Sequence, residues 1–228
     1  AEAKRIRESL AALGDGETTQ LEVGIATGEG RRVIDLRIDA IPTDDGDHTR
    51  AVVIGYDVTE RAVKEAELES QRTALHALHE ITADPALSLD DQVERLLEFG
   101  TDHFGTDIGF LSEIDRQAGS VRIAAATGDH DLIHAGAGDD LGNTFCRHVI
   151  DDSAEMSLAI TDAEVTLGAD PAVERYGLDC YIGVAIEVNG DLFGTLCFAD
   201  AEPCDVTEGD RTLLELMGQW LRRGLEQR

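Results

Sequence analysis

Alternation of apolar and polar residues predicts a small sheet in the first part of the chain. Three stretches place apolar side chains at every second residue, which is typical of half-buried strands. A charged stretch before them has the pattern of a helix. The predicted elements are a helix at 2–13 ending near Gly14, strands at 21–25, 33–40 and 50–58, a turn at 28–30 and an acidic loop at 43–47.

The third predicted strand leads directly into a charged helix. Val52, Ile54 and Tyr56 keep the period of two expected of a half-buried strand. Asp57 then offers an acceptor for the free amides of a helix start, and Glu60 places an acid in the first turn, in the manner of a capping box. This junction therefore marks where one folded part ends and a connecting helix begins.

The connecting helix is predicted from Thr59 to about Ala83, because this stretch has no Gly or Pro and is rich in Ala, Glu and Leu. Its thin apolar stripe consists of Ala66, Leu75, Leu78 and Ile81. Two interpretations remain open: a solvated linker helix packed on its own domain, or a parallel coiled coil that pairs two subunits.

The remainder of the chain mixes helix and strand patterns. Ser88 with Asp91, and Thr207 with Asp210, are start signals of two helices. The dipeptide Asn189-Gly190 is the strongest two-residue signal for a type I′ hairpin turn. After the first helices, the predicted order is strands at 107–114 and 120–127, a helix at 142–151, a strand at 156–160, a hairpin at 181–198 and a last helix. This order predicts an α+β fold in which helices pack on an antiparallel sheet.

The two-residue turn also predicts which hairpin side chains share a face. One face carries Ile182, Val184, Ile186 and Val188 with Phe193, Thr195 and Cys197, and it is suited to packing under helices. The other face carries Tyr181, Gly183, Ala185, Leu192, Gly194, Leu196 and Phe198. Small residues on this second face leave a gap for a ligand or for a closely packed helix, and the helix is the commoner explanation.

The charge of the chain excludes two classes of partner. Asp and Glu number 47 against 19 Lys and Arg, so the formal net charge is −28. Such a surface repels nucleic-acid phosphates and anionic membranes. The acids are spread along both halves and lysine is almost absent, which is typical of proteins from salt-loving archaea. Molar salt screens the repulsion beyond roughly 3 Å, so the charge reflects environment more than mechanism.

The cysteines and the hydropathy predict a cytoplasmic fragment. Cys146, Cys180, Cys197 and Cys204 include no C-x-x-C pair, so neither a zinc ribbon nor a thioredoxin-like site is indicated. No stretch approaches the ~18 apolar residues of a membrane span, and no signal-peptide pattern opens the chain. We therefore expect four reduced thiols. Helical patterns at both ends indicate a piece of a longer polypeptide.

Two parts of the chain resemble known domain families. The junction at 55–61, with the helix and three strands before it, resembles the end of a PAS domain. Residues 73–228 resemble a GAF domain. The phrases that carry this second resemblance lie, in order, at 78–81, 141–150, 181–186 and 194–198, followed by the closing helix. The resemblance implies the C-terminal half of a PAS domain at 1–58, a linker helix at 59–84 and a GAF domain at 73–228.

Together these parts resemble the sensor region of haloarchaeal signalling proteins. The resemblance implies a non-enzymatic sensory module that detects a small ligand, a redox change or a partner and relays it through helices. It further implies a homodimer formed through helices and an output domain in the same polypeptide, either a histidine kinase or a helix-turn-helix activator of the bacterioopsin-activator kind. His79-Glu80 lacks the Leu-Arg-Thr-Pro continuation of a phosphoacceptor box, so we do not expect His79 to be phosphorylated.

GAF domains use one sheet face, roofed by helices and loops, as a ligand pocket. The resemblance therefore gives as candidate ligand-binding residues Phe145, Cys146, His148, Tyr181, Gly183 and Gly194. Cys146 and His148 form a Cys-x-His pair that could attach a chromophore, ligate a metal or sense oxidation. Because Cys146 lies on the apolar side of its predicted helix, a buried, inert thiol is the favoured interpretation.

The cofactor is not predicted, but the resemblance disfavours two groups. Bilin-binding GAF domains carry a Cys-His pair shortly before the hairpin, where this chain has the stretch 170–174 without either residue. The Asn-Lys-Phe-Asp-Glu signature of cyclic-nucleotide GAF domains is also missing. Haem would need a histidine on the pocket wall, and the spacing does not choose between His130, His134 and His148.

One enzymatic alternative follows from the same resemblance, because free methionine sulfoxide reductases are single GAF domains. Cys146 lies roughly where such an enzyme has a catalytic cysteine. Cys180 lies closer to the hairpin than the partner cysteine of that family, and a PAS domain fused upstream is unusual. A sensory module is therefore the primary prediction and a reductase the alternative.

Overall fold

The computed structural model describes residues 2–13, 17–28, 30–41, 50–84, 86–151 and 157–228. Gly14, Glu29, Met156 and the predicted acidic loop at 43–47 lie outside these ranges. The chain forms two compact units, Ala1–Ser70 and Gln71–Arg228. Within the described ranges, no helix is both long and apolar enough to cross a membrane.

The first unit contains the predicted helix and a three-stranded antiparallel sheet. Its helix is α1 (Glu2–Ala12) and its strands are β1 (Thr18–Thr27), β2 (Gly30–Ile41) and β3 (Arg50–Asp57), in the spatial order β1-β2-β3. Val23 and Ile38, on β1 and β2, are 1% and 0% exposed. The expectation that β3 is half-buried was wrong, since Val52, Ile54 and Tyr56 are 43%, 40% and 60% exposed. The reason is that α1 packs against β1, at the opposite edge of the sheet.

The first residue of the connecting helix α2 (Thr59–Ala83) forms hydrogen bonds with the side chain of Asp57, the last residue of β3. Asp57 Oδ1 accepts hydrogen bonds from the Thr59 amide at 3.0 Å and from the Thr59 hydroxyl at 2.6 Å. Arg32 donates to Asp57 Oδ2 at 2.7 Å. These bonds, those from Thr59 first, lower the pKa of Asp57 to about 2. The predicted acceptor at the helix start is therefore confirmed.

The second unit is built on one six-stranded antiparallel sheet. Its strands are β4 (Ile108–Asp115), β5 (Ser120–Thr127), β6 (Gly138–Asp140), β7 (Ser157–Ile160), β8 (Cys180–Val188) and β9 (Asp191–Asp200), in the order β6-β5-β4-β9-β8-β7. Its helices are α3 (Leu89–Phe104), α4 (Cys146–Asp151), α5 (Ala163–Leu167), α6 (Pro171–Tyr176) and α7 (Glu208–Glu226). The capping boxes predicted at Ser88 and Thr207 are both present. Strand β6 and helices α5 and α6 are too short to show a period in the sequence.

The helix predicted at 142–151 is shorter and begins later. A 3₁₀ turn at Leu141–Asn143 is capped by Asp140, whose carboxylate accepts a backbone amide 2.8 Å away. Thr144 then adopts an extended backbone, and α4 begins at Cys146. A local side-chain bond therefore interrupts a sequence pattern that predicts one continuous helix.

The sheet carries a separate core on each face. On the helix face, which α3 and α7 cover, the buried side chains include Leu97 and Met217, together with Leu78 from α2. On the cavity face, which α4 and the segments around β6 cover, the buried side chains include Phe110 and Tyr181. The strands between the two cores are shared, so each central strand contributes side chains to both.

A β-bulge in the hairpin corrects the predicted faces. Asn189 and Gly190 have φ values of 54° and 88°, as a type I′ turn requires, so the predicted turn is confirmed. The register then shifts beside Ile186, and Ala185 lies opposite Thr195. Because directly paired residues share a face, β9 is turned over relative to the prediction. Thr195, Cys197 and Ala199 share the cavity face with Tyr181, Gly183 and Ala185, and the helix face carries Gly194, Leu196 and Phe198.

Two cysteines form a disulfide, so the expectation of four reduced thiols was wrong. Cys180 and Cys204 are bonded, with Cα atoms 5.4 Å apart, whereas Cys146 and Cys197 are free. The chain leaving β9 returns to the start of β8, where the Cys204 amide donates to the Thr161 carbonyl at 3.1 Å. A separation of 24 residues hides this proximity in the sequence.

Candidate functional site

A cavity of about 30 Å³ lies in the core of the cavity face. A water molecule needs roughly 10–15 Å³ of such volume, so the cavity has room for about two. Most of its wall is apolar. The polar side chains in the wall belong to Asp139, Thr144, Cys146, Tyr176 and Tyr181.

Five buried polar side chains form a connected group at this wall, the thiol cluster, made of Ser112, Cys146, Tyr181, Thr195 and Cys197. The Tyr181 hydroxyl lies 3.0 Å from Cys197 Sγ and 3.8 Å from Cys146 Sγ. Cys197 Sγ donates to Thr195 Oγ1 at 3.1 Å, and that oxygen lies 2.7 Å from Ser112 Oγ. Ser112 Oγ lies 3.9 Å from Cys146 Sγ and closes the ring. No member is more than 2% exposed.

Hydrogen-bond donors around Cys146 stabilise its thiolate. The Cys197 thiol contributes most, and with the hydroxyls of Thr195, Tyr181 and Ser112 it outweighs the cost of burial and lowers the pKa of Cys146 to about 6. Burial raises the pKa of Tyr181 and of Cys197, so these two groups keep their protons and remain donors. Within the thiol cluster, Cys146 is therefore the group whose ionised form is favoured.

Helix α4 packs closely on the sheet beside the thiol cluster. Phe145, just before the helix, stacks on Tyr181 with ring centroids 5.1 Å apart and an interplanar angle of 19°. A Cβ on Gly183 would lie 2.9 Å from Tyr181 Oη and 3.0 Å from Val149 Cγ2. The space above Gly183 is therefore filled by α4 and by the Tyr181 ring.

One side of the cavity is formed by Asp139, a carboxylate in an ion pair. Asp139 accepts hydrogen bonds from the Tyr176 hydroxyl at 2.8 Å and from Arg175. Burial opposes the charge of Asp139, but these bonds prevail and lower the pKa of its carboxyl group. Burial and the adjacent carboxylate raise the pKa of Tyr176, which stays protonated. The ion pair with Arg175 balances the charge at this wall.

His148 bonds to a different group of residues from Cys146. Its Nε2 lies 3.0 Å from Asp170 Oδ2, and the same carboxylate pairs with Arg147. Burial opposes ionisation of Asp170, but the bond from Arg147 outweighs it and lowers the pKa of Asp170. The two members of the predicted Cys-x-His pair therefore belong to separate clusters.

The other two histidines considered for haem bond to the backbone. His130 Nε2 lies 3.0 Å from the Tyr176 carbonyl oxygen, and His130 Nδ1 accepts the Leu132 amide at 3.1 Å. His134 Nδ1 lies 3.3 Å from the Ala135 carbonyl oxygen. Both ring nitrogens of His130 are thus already used.

The structure brings together part of the predicted ligand site. Phe145, Cys146 and Tyr181 line the cavity, and Gly183 lies beneath the Tyr181 ring. Gly194 lies on the opposite, helix face of the sheet. A Cβ there would approach a backbone oxygen of β4 to 1.8 Å, so close strand packing explains this glycine.

Sequence reasoning missed Ser112, Thr195 and Cys197. Ser112 on β4 pairs with Thr195 on β9, so two hydroxyl side chains meet on the cavity face. Ser112 directly follows the apolar stretch 108–111 of β4, and that position was the available signal. The prediction placed Thr195 and Cys197 on the wrong face because it did not include the bulge. Asp139 lies on a strand that is too short to predict.

No family model matches the chain, and no curated protein matches it in sequence. Solved structures do resemble it. The phycoerythrobilin-bound GAF domain of a cyanobacterial phytochrome covers 70% of this chain and 96% of its own, at 16% identity and a TM-score of 0.56. This chain contains a GAF fold. The expected α+β class, with helices packed on antiparallel strands, is therefore confirmed.

Two further structures share the GAF fold. The free methionine-R-sulfoxide reductase of Neisseria meningitidis, in complex with its substrate, covers 68% of this chain and 88% of its own, at 15% identity and a TM-score of 0.55. The chromophore-binding domain of a Stigmatella aurantiaca bacteriophytochrome covers 91% and 74%, at 13% identity and a TM-score of 0.57. At these identities the similarity concerns the fold alone, and neither a chromophore nor reductase activity follows from it.

Proposed function

We propose that this chain is a sensory module, not an enzyme, in which a small effector acts at the GAF cavity and helices relay the change to an output domain. The observation that carries the proposal is the thiol cluster at the wall of a mostly apolar cavity, where hydrogen bonds favour ionisation of Cys146. Burying an ionised group costs free energy unless other groups are arranged around it, and such arrangements concentrate at functional sites.

A relay from the cavity to the helices is supported by strand β8. Tyr181 and Gly183 lie on the cavity face of this strand, and Val184, the residue directly after Gly183, lies on the helix face. Gly218 of α7 packs so closely that an added Cβ would lie 3.0 Å from Val184 Cγ1. Because close-packed interiors transmit displacement, a shift of β8 at the cavity moves α7 on the other face.

The relay is tested by loosening the cover of the cavity. In Val149→Ala we expect faster amide hydrogen exchange in α4 and also in α7, measured in molar KCl. Val165→Ala is the matched control, because Val165 is 80% exposed on the neighbouring helix α5. Exchange in α7 that is identical in Val149→Ala and the wild type would contradict the relay. Native mass spectrometry and an absorption spectrum of the same protein would identify any bound effector.

The first unit fits this role as the C-terminal half of a PAS domain that feeds the GAF unit. We propose that both belong to a cytoplasmic signalling protein of a salt-loving archaeon, with a histidine kinase or a helix-turn-helix activator as output. The net charge of −28 supports this environment, and it disfavours direct binding of nucleic acid or membranes by this part of the protein.

A homodimer through α2 is the proposed arrangement of the subunits. Leu68 and Leu75 lie one heptad apart on this helix and are 64% and 48% exposed, whereas Leu78 is buried in the core of the second unit. We expect a dimer by sedimentation in molar KCl and a monomer for the double variant Leu68→Ala and Leu75→Ala. Glu67→Ala, on the same helix, should remain dimeric. A monomeric wild type would refute the coiled coil.

A free methionine sulfoxide reductase is the second candidate, because its chemistry also needs a thiolate, which Cys146 supplies. A cavity with room for about two water molecules is small for an amino acid, which favours the sensor. The discriminating assay is reduction of free methionine sulfoxide coupled to thioredoxin. Turnover that Cys146→Ser abolishes would replace the sensory proposal with the enzyme.

A further inference from the structure

We infer that Cys146 and Cys197 form a peroxide-reactive thiol pair, in which hydrogen peroxide entering the cavity is reduced and the two sulfurs become joined in a disulfide. This inference rests on the proposed sensory function and names its stimulus.

The two sulfur atoms meet at the same hydroxyl group. Tyr181 Oη lies 3.0 Å from Cys197 Sγ and 3.8 Å from Cys146 Sγ, so one hydroxyl group contacts both sulfur atoms. Cys146 is part of the cavity wall, whereas Cys197 lies behind that wall on β9. Cys146 is therefore the sulfur that meets an oxidant, and Cys197 is placed to react with the oxidised product.

The size of the cavity selects the oxidant. Hydrogen peroxide has two oxygen atoms, and the cavity of about 30 Å³ has room for roughly two water molecules. Hydroperoxides with a bulky alkyl group exceed this volume.

The reaction balances with peroxide as the only co-reactant. The Cys146 thiolate attacks one peroxide oxygen, the O–O bond breaks, and the products are a sulfenic acid on Cys146 and a hydroxide ion. The Cys197 sulfur then attacks the Cys146 sulfur, and the sulfenic hydroxyl leaves as water with the Cys197 proton. Both sulfurs are oxidised by one electron each, peroxide accepts two, and the hydroxide takes up a proton from solvent.

A disulfide between Cys146 and Cys197 would move α4, which covers the cavity and contacts β8. Cys146 is the first residue of α4, and Val149 of the same helix packs on Gly183 of β8. A covalent bond from α4 to β9 therefore displaces the cover of the cavity relative to the sheet. The bond between Cys180 and Cys204 involves different sulfurs and stays intact.

The direct test is peptide mapping of the unreduced protein after treatment with hydrogen peroxide. We expect a Cys146–Cys197 linkage beside the Cys180–Cys204 linkage, and a sulfenic acid on Cys146 that dimedone traps in Cys197→Ser. In Cys146→Ser the Cys197 thiol should survive the treatment. Two free thiols after peroxide, or a linkage that forms as fast in urea as in the folded protein, would overturn the inference. Tert-butyl hydroperoxide, the size control, should react much more slowly than hydrogen peroxide, and equal rates would also overturn it.

A second measurement leaves both cysteines in place, in case their variants fail to fold. Among the described residues, the titratable groups facing Cys146 are Tyr181 on β8 and Cys197 on β9. Asp139 on β6 and Tyr176 on α6 line the same cavity, and Arg175 on α6 pairs with Asp139. The rate of peroxide reaction should rise with pH through a midpoint near 6. Tyr181→Phe removes one donor, and a rise of about one in the pKa of Cys146 would lower the rate at pH 6 roughly fivefold. If the pH dependence of the rate is the same in Tyr181→Phe and the wild type, the Tyr181 hydroxyl does not lower the pKa of Cys146. That result would overturn the thiol cluster as the cause of the lowered pKa.

The two proposals fail separately. If the Cys146–Cys197 linkage forms and amide exchange in α7 stays unchanged on oxidation, the thiol pair is correct and the sensory relay is wrong. If no linkage forms while Val149→Ala still alters α7, the relay stands and the thiol pair is wrong.

Discussion

Removing the Cys180–Cys204 disulfide tests how the second unit is stabilised. Cys204→Ala opens a loop whose ends are 24 residues apart. Closing a loop of that length removes chain entropy worth about 3 kcal/mol at 25 °C. Cys180 is fully buried, and its thiol stays in place as a small apolar group, so no buried charge adds to the loss. For a domain of about 150 residues each kcal/mol moves Tm by roughly 2–4 °C, so we expect a fall of about 6–12 °C.

The assay is thermal and urea unfolding in molar KCl, followed by tryptophan fluorescence. Trp220, the single tryptophan of the chain, lies on α7 and packs on the core of the helix face, so it reports the second unit. A reductant should lower the wild-type midpoint to that of Cys204→Ala and should leave the variant unchanged. The variant is thus its own control for Cys146 and Cys197, which are free in both proteins.

Two results would refute this reasoning. One is four titratable thiols in wild-type protein that was denatured without reduction, since the disulfide predicts two. The other is a reductant effect smaller than about 1 kcal/mol, which is well below the loop-closure term for this separation.

Three further outcomes are expected. Gly100→Ala should destabilise the second unit by about 1–3 kcal/mol in urea, because the new Cβ would meet the buried Phe198 ring at 2.2 Å, whereas Glu94→Ala on the exposed side of α3 should stay within about 0.5 kcal/mol. Asp57→Ala should speed amide exchange in the first turn of α2, and Asp57→Asn, which keeps an acceptor oxygen, should do so less; equal exchange in all three proteins would show that the cap is not needed. Since the folded pKa of Cys146, about 6, lies below its ordinary value of 9.0, the stability that its thiolate contributes is fully present above pH 9 and is lost as pH falls towards 6 and below. Urea midpoints should therefore fall over that interval in the wild type and less in Cys146→Ser, and parallel curves would contradict the thiolate.

Local signals predicted most of the elements. The capping boxes at Ser88 and Thr207 and the turn at Asn189-Gly190 each depend on residues no more than three apart, and all are present. The prediction at 142–151 was only partly right, since the Asp140 side chain caps a short 3₁₀ turn and delays the helix. Competition between side chain and backbone for the same amides is hard to judge from pattern alone.

The candidate site was predictable only in part. Cys146 and Tyr181 lie in phrases that resemble a GAF domain, and both line the cavity. Thr195 and Cys197 were assigned to the wrong face because a single extra residue in a strand reverses every side chain beyond it. His148 was grouped with Cys146 on its spacing, but it bonds instead to Asp170, the N-cap of a helix too short to predict.

Amino-acid patterns alone account for the kinds of elements, their order, the hairpin turn and the strongly acidic composition. These properties depend on side chains a few residues apart or on composition, so no long-range information is needed. The pairing of the sulfurs depends on the folded chain: Cys180 is bonded to Cys204, and Cys146 and Cys197 both contact one tyrosine hydroxyl. Such pairings follow from strand register and from the packing of α4 on the sheet, and a shift of one residue in either would separate them.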